Sequence, residues 1–479
     1  MEGKQRRERL GWWAAVGAIA MAGLALRIVA ARGGLWTDEA WSVVYAAQAR
    51  DAAGVFLRIN HDNNHHLYSL WLQAIGPAAA PLLARAPAIL AGTLGIVVAA
   101  LFAGRRSQAA GIVAALLFAL SPALVVFGSE ARGYAMMVLA ALLMFLVVSD
   151  AIDGRTVRSA SLVLAGLAIF GMFSHLTMAA PVAIAALWFY LEKRTETAPS
   201  AALLATARFM GPALVATAAV VVFVFAAAMA SPSGMRLGGY EPFSALQFAS
   251  ALNDLALWSI GLGAPWPWLA PLIVGLAAAA MLVVRPNWLG SRARLYALLI
   301  LAVPLGAGLL QSGNTSFARY YLASAIGLLL LVSEWIGRGF AGRGEARVGA
   351  FVLAAALLAV SLYRDSQVIA FDRGRPDGPV SDMAKLSPTG ARIAFTQPRL
   401  KAVVAVAAER TGYAARFAGG CDKADFLLAA QLRWSPPPPR ITTRCGVAMV
   451  VIDSSVTIPI TGDSWVLYRP QELAKLRAR

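Results

Sequence analysis

Leu35-Trp36-Thr37-Asp38-Glu39-Ala40-Trp41-Ser42 sets two adjacent carboxylates just after an apolar run that extends from about 10 to 31. The run is long enough to cross a bilayer as a helix, and a carboxylate left in hydrocarbon is expensive. The pair therefore marks where the chain leaves a membrane and meets water, a cation or a substrate.

Composition agrees with that reading. With 59% hydrophobic residues, 14% charged and a mean hydropathy of +0.65, the 479-residue chain is too apolar for a soluble protein. The net charge of +17 would suggest a nucleic-acid partner in a soluble protein, but here the basic residues stand in short clusters between apolar runs. A topological bias in the loops explains them, and nucleic acid is not expected as a partner.

Apolar runs at 10–31, 81–103, 108–128, 133–150, 159–175, 177–191, 207–230, 265–284, 295–311, 319–337 and 347–363 predict about eleven transmembrane helices. Lys4/Arg6/Arg7/Arg9, Arg105/Arg106, Arg155/Arg158, Lys193/Arg194, Arg285/Arg292/Arg294 and Arg338/Arg343/Arg347 then fall at every second connection, which is the cytoplasmic side. The loops at 32–80, 129–132, 174–176, 231–264 and 312–318, and the tail after 363, go to the opposite face. The expectation is a multi-pass protein of the inner (plasma) membrane with a cytoplasmic N-terminus and an extracytoplasmic C-terminal domain. Arg27 and the length of the first run favour an uncleaved anchor over a signal peptide.

That topology gathers the unusual polar residues without using their identity. Asp38 and Glu39, the cluster His61-Asp62-Asn63-Asn64-His65-His66, Glu130 with Arg132, His175, and Arg319 with Tyr320 and Tyr321 all come out on one face, all four histidines included. Residues that were merely solvated would scatter over both faces; a shared aqueous cavity collects them.

Arg27-Ile28 to Asp38-Glu39-Ala40, Asn64-His65-His66-Leu67-Tyr68, Ser129-Glu130-Ala131-Arg132-Gly133-Tyr134 and Arg319-Tyr320-Tyr321-Leu322 resemble the GT-C membrane glycosyltransferases, in particular the bacterial group similar to protein O-mannosyltransferases and the lipid A aminoarabinose transferase. The resemblance covers roughly 10 to 335. It implies a GT-C-like helical domain, a polyprenyl-phosphate sugar donor, an acidic motif in the first external loop and an inverting displacement.

Chemistry assigns roles within it. A carboxylate within hydrogen-bond reach of an acceptor hydroxyl can take its proton, and Asp38, with Glu39 beside it, is the catalytic candidate. The leaving phosphate needs cations, and Arg132 and Arg319 carry a planar fork suited to it, though helix-end arginines also serve as interfacial anchors. His65, Glu130, Tyr134, His175 and Tyr320 complete the substrate-binding candidates. Glu39 and Glu130 have three open readings: a divalent cation (Mg, Mn or Zn), placement of the acceptor, or pairing with an arginine. His61 and His65 have the i, i+4 spacing of a metal pair on a helix, but the Asn and Asp around them read as a loop. The acceptor stays open among a glycolipid, a cell-envelope glycan and a protein, and no nucleotide cofactor is expected. A lipid-linked sugar flippase and a catalytically inactive subunit are the rival readings; a transporter places ionisable groups near the midplane and shows internal repeats, neither of which is seen.

Gly337-Arg338-Gly339-Phe340-Ala341-Gly342 has dinucleotide-fingerprint spacing but follows a span instead of a strand, and reads as a loop. The loop at 231–264 is long enough for a lid over an amphipathic 243–258 stretch, with Trp258, Trp266 and Trp268 as an aromatic belt. Beyond 363 hydropathy falls, and Asp372-Arg373-Gly374-Arg375-Pro376-Asp377-Gly378-Pro379 marks a boundary. Domains 1–363 and 364–479 are expected, the second a small α/β module with strands near 392–396, 426–428, 447–452 and 465–468 and a helix over 400–410. Its Cys421 and Cys445 are the chain's only cysteines, and an extracytoplasmic tail favours a disulfide over two free thiols.

Overall fold

The computed structural model describes residues 2–59, 64–155, 158–232, 234, 241–261, 265–284, 286–419, 423–431 and 435–475. Among them, eight helices are long and apolar enough to cross a membrane: Lys4–Ala30, Pro81–Gly104, Tyr134–Ile152, Leu176–Glu196, Pro199–Met229, Arg292–Leu309, Ala318–Ala341 and Glu345–Gly374. Three shorter apolar helices, Gln108–Leu120, Ala160–Ser174 and Leu269–Val284, account for the remaining expected runs. The chain is an α-helical polytopic membrane protein with a small C-terminal sheet. Two compact units partition it: Met1–Ile28, Phe56–Tyr68 and Pro87–Ser366 form one, and Val29–Val55, Ser69–Ala86 and Gln367–Arg479 the other.

In the first unit the expected span 108–128 is broken into Gln108–Leu120 and Pro122–Phe127. Pro122 has no N–H, so the Phe118 carbonyl four residues earlier loses its helical partner. Arg27 supplies it. Its guanidinium, 1% exposed, donates to Phe118 O at 2.9 Å, Ala119 O at 3.2 Å and Gly23 O at 3.1 Å. An arginine inside an apolar helix is tolerated because backbone carbonyls orphaned by the break take its protons.

Gly337 and Gly339 are corrected from loop to helix: both lie in Leu322–Ala341. A Cβ on Gly337 would come within 2.6 Å of the Ala110 Cα, so glycine is what lets these helices touch backbone to backbone. Glu334 of the same helix accepts from Arg292 at 2.5 Å and from the Tyr296 hydroxyl at 2.6 Å, a buried triad. The amphipathic stretch is a helix, Ala245–Ile260; Trp258 in it is 2% exposed and packs inward, whereas Trp266 and Trp268 are exposed as a belt requires.

The second unit contains a six-stranded sheet of β1 (Ala391–Phe395), β2 (Ala415–Phe417), β3 (Phe426–Ala430), β4 (Arg440–Thr442), β5 (Ala448–Ser455) and β6 (Trp465–Pro470), in the order β2-β1-β3-β6-β5-β4. β1 is parallel to β2 and β3, and the remaining pairs are antiparallel. The helix Leu400–Thr411 covers one face, where Ile393, Val404, Phe426, Leu428, Trp465 and Leu467 form a dry core. β2, β4 and the helix Gly378–Leu386 were not anticipated; the two strands have only three residues each and show no alternation to read. Cys445 is disulfide-bonded and no free cysteine occurs among the described residues; Cys421 lies outside them.

The tail does not stand apart from the first connection. The last long helix runs to Phe371 and ends in a knot in which Asp372, Arg373, Gly374 and Arg375 all have positive φ. Arg373 donates to the Ala30 carbonyl and its own carbonyl accepts from Asp463 N–H. Gly33, at φ +78, lies so close to the Asp372 carboxylate that a Cβ would sit 2.2 Å from it, and only glycine combines that backbone with that approach. Residues expected to form an open external loop, 32–55, are thereby folded onto the tail, and they include a helix, Thr37–Gln48.

Candidate functional site

The helix Thr37–Gln48 places Asp38 and Glu39 in its first turn, where the positive end of the helix dipole favours carboxylates. The two point to different tasks. Glu39 is fully buried and gripped by Arg85, whose Nε donates to Oε1 at 2.8 Å and Nη2 to Oε2 at 2.6 Å. Oε2 also accepts from Trp36 N–H at 3.2 Å, and Arg85 reaches onward to the carbonyls of Ala31 at 2.8 Å, Gly33 at 3.1 Å and Gly34 at 2.6 Å. With both oxygens engaged by Arg85, Glu39 takes the pairing expected as one of its three readings and acts as a strut that shapes the 31–39 segment.

Asp38 is half-buried beside this strut. Asp463, from the loop before β6, accepts from Thr37 N–H at 3.0 Å, and Trp41 Nε1 donates to Arg399 O at 3.0 Å. Burial raises the Asp463 carboxyl above its ordinary pKa and the charge of Asp38 adds to this, against the Thr37 bond and Arg399. Two carboxylates thus face each other across the first turn. Neither Arg85 nor Asp463 was singled out from the sequence. Arg85 had a signal, being a lone arginine in an apolar run; Asp463 stands in a polar tail where an aspartate is unremarked.

In the first unit a second constellation joins residues from four elements. His65 lies against His175 and Tyr134, with ring centroids 4.6 and 5.0 Å away, and Tyr320 is 6.4 Å from His175. Arg132 Nε donates to His65 Nε2 at 3.1 Å. Nδ1 of His65 has Gly133 N–H at 3.2 Å and the Ser174 carbonyl at 3.4 Å, demands that no tautomer meets together. Arginine can only donate, so Nε2 is the acceptor and the ring proton is on Nδ1, toward Ser174. His175 takes the opposite tautomer: Nδ1 accepts from Thr177 N–H at 3.1 Å, which puts the proton on Nε2, a buried N–H with no hydrogen-bond partner among the described residues.

Both rings are held neutral. Burial, then Arg132 and Arg319, push His175 down to about 3; burial, then Arg132, His175 and Arg319, hold His65 well below its ordinary value. Arg132 lies 5.5 Å from the Tyr134 ring, and Arg319 4.2 Å from Phe317 and 5.7 Å from Tyr320. Two guanidinium groups and an imidazole N–H therefore lie along a wall of aromatic rings, buried at His65, Tyr134 and His175 and half-buried at Phe317 and Tyr320, an arrangement suited to a phosphate. Glu130 is buried in the same unit, its carbonyl accepting from the Tyr68 hydroxyl at 3.4 Å. His66 belongs elsewhere: it stacks on Phe56 at 5.3 Å, and burial holds it at about 4. No group of three His, Cys, Asp or Glu residues able to hold a metal ion occurs among the described residues, and His61 lies outside them.

No family model and no curated protein sequence matches the chain. Among solved structures it is similar to the Archaeoglobus fulgidus oligosaccharyltransferase tethered to an acceptor peptide, with a TM-score of 0.49 and 10% identity over 85% of this chain and 63% of that one. It is also similar to ArnT from Cupriavidus metallidurans bound to undecaprenyl phosphate, at 0.49 and 11% over 95% and 98% of the two chains. For the arabinosyltransferase EmbB of Mycobacterium smegmatis the values are 0.38 and 16%, over 79% of this chain and 41% of that one. The chain thus spans less than two thirds of the oligosaccharyltransferase and of EmbB. All these scores are below 0.5, and the functional reading is carried by the site's own geometry.

Proposed function

We propose that the protein is an integral-membrane glycosyltransferase that moves a sugar from a polyprenyl-phosphate donor to an acceptor hydroxyl on the extracytoplasmic face of the inner membrane. The observation that carries this reading is the grouping of the half-buried Arg132 and Arg319 with the buried Nε2–H of His175. Removing a proton from the acceptor oxygen lets it bond to the anomeric carbon, while the bond from that carbon to the phosphate oxygen breaks and the electron pair leaves with the phosphate. Asp38 takes the proton and the arginines receive the growing phosphate charge. His65, held neutral, fixes Arg132 through its Nε.

The same unit as the arginines offers a seat for the donor's hydrocarbon chain. An apolar cavity of about 460 Å³ is lined by Phe248, Leu252, Trp268, Leu272, Ile300 and Leu328. Leu328 lies on the helix that follows the Arg319 turn, and Phe248 packs on Tyr321 at 5.9 Å.

Binding of undecaprenyl phosphate to the purified protein in detergent tests the phosphate site. Arg132→Ala and Arg319→Ala are each expected to weaken it at least tenfold, with undecaprenol bound weakly by all forms. Equal affinity for undecaprenol and its phosphate in the wild-type protein overturns the assignment. In cells, a deletion strain is expected to accumulate a lipid-linked sugar and an acceptor lacking one sugar unit, read by lipid and glycan mass spectrometry.

A further inference from the structure

We infer that Asp463 is a positioning residue for the transfer reaction: it caps the first turn of the helix Thr37–Gln48 and so fixes where Asp38 points. This rests on the reading of Asp38 as the base.

The helix begins without a cap of its own. Its N-cap residue is Trp36, whose side chain has only a donor, the indole N–H, whereas the first helical N–H groups need acceptors. Local sequence offers one remedy, Glu39, but its Oε2 reaches back to Trp36 N–H and both its oxygens are held by Arg85. The N–H of Thr37 is met by Asp463 Oδ2 at 3.0 Å, from a residue 426 positions away.

Asp463 is itself firmly held. Its N–H donates to the Arg373 carbonyl at 3.2 Å. Gly462, at φ +78, and Gly374, at φ +81, pack so that a Cβ on either would come within 2.3 Å of the opposite backbone. Trp465, two residues on, donates to Gly374 O at 2.5 Å. A carboxylate delivered by so rigid a turn acts as a fixed post for the neighbouring helix end, and Asp38 is the residue after the one it holds. The groups facing Asp463 are Thr37, Asp38 and Arg399.

The role is acceptance of a hydrogen bond, so a neutral acceptor of the same shape should serve. In the deletion strain carrying full-length variants, transfer is followed by the rate at which the accumulated lipid-linked sugar is consumed. Asp463→Ala is expected to slow it at least tenfold, Asp463→Asn less than threefold. Undecaprenyl phosphate binding should be unchanged in both, because the arginines are untouched. Thr37→Pro removes the donor instead of the acceptor; proline is accepted at the first helical position, and Trp36 at φ −76, ψ 173 already has the backbone that a following proline requires. It should match Asp463→Ala, with no further loss in the double variant, and it keeps the test open if Asp463→Ala does not accumulate. Wild-type turnover in Asp463→Ala, equal losses in Asp463→Asn and Asp463→Ala, or additive losses in the double variant overturn the inference. Asp38→Asn separates the two claims: if it retains turnover, the base assignment fails whatever Asp463 does.

Discussion

At the scale of residues, adjacent carboxylates have been given unlike work by what surrounds them. Glu39, sealed against Arg85, cannot lose its partner cheaply: Glu39→Ala leaves a buried guanidinium, and a loss of about 3 to 5 kcal/mol in unfolding free energy is expected, measured by thermal or denaturant melting in detergent. Glu39→Gln should fall short of that, since it keeps the shape and part of the hydrogen bonding. The histidines give a pH signature. His65, His66 and His175 are neutral when folded and protonate near 6.5 when unfolded, so the unfolded chain binds more protons below that value. Stability is therefore full above pH 6.5 and falls as the pH drops toward 4, by about 1.4 kcal/mol per pH unit for each histidine. Melting at pH 7, 6 and 5 checks this, and His175→Gln should flatten the slope; a melting temperature independent of pH over that range contradicts it.

At the scale of elements, the broken helix near residue 121 ties a charge to a missing proton. Arg27 exists in its apolar helix because Pro122 leaves Phe118 O without a donor. Arg27→Met should cost about 1 to 3 kcal/mol through the unsatisfied buried carbonyl, and less in a Pro122→Ala background that restores the intrahelical N–H; additive effects of the two substitutions, seen in a double-mutant cycle, would rule the coupling out. This is also where sequence reading was strong and where it stopped. All the apolar stretches became helices because burial in lipid demands an internally bonded backbone and leaves one answer. The break at 121 is written in Pro122, which hydropathy alone does not register. The helix Thr37–Gln48 was obscured because its acceptor comes from Asp463, and no local window contains that residue. Its candidates Arg132, His65, His175 and Arg319 were legible as a group through topology, but the opposite tautomers that let two buried imidazoles share a charged wall depend on the Ser174 and Thr177 backbones.

At the scale of the whole molecule, the polypeptide is a membrane-embedded helical body together with a second unit in which the first connection and the tail fold as one. A disulfide at Cys445 is expected of an oxidising compartment. Labelling of intact protein with a membrane-impermeant maleimide should detect no thiol until reductant is added, after which the tail reacts from outside; reaction in the untreated protein would contradict the bond. The Thr37–Asp463 contact also bears on how the protein is made. The turn bearing Asp38 leaves the ribosome early, yet the post that steadies it is translated more than four hundred residues later. During synthesis the first turn of that helix therefore lacks its acceptor until translation has passed residue 463, so its start is completed only after the chain that follows it has been made.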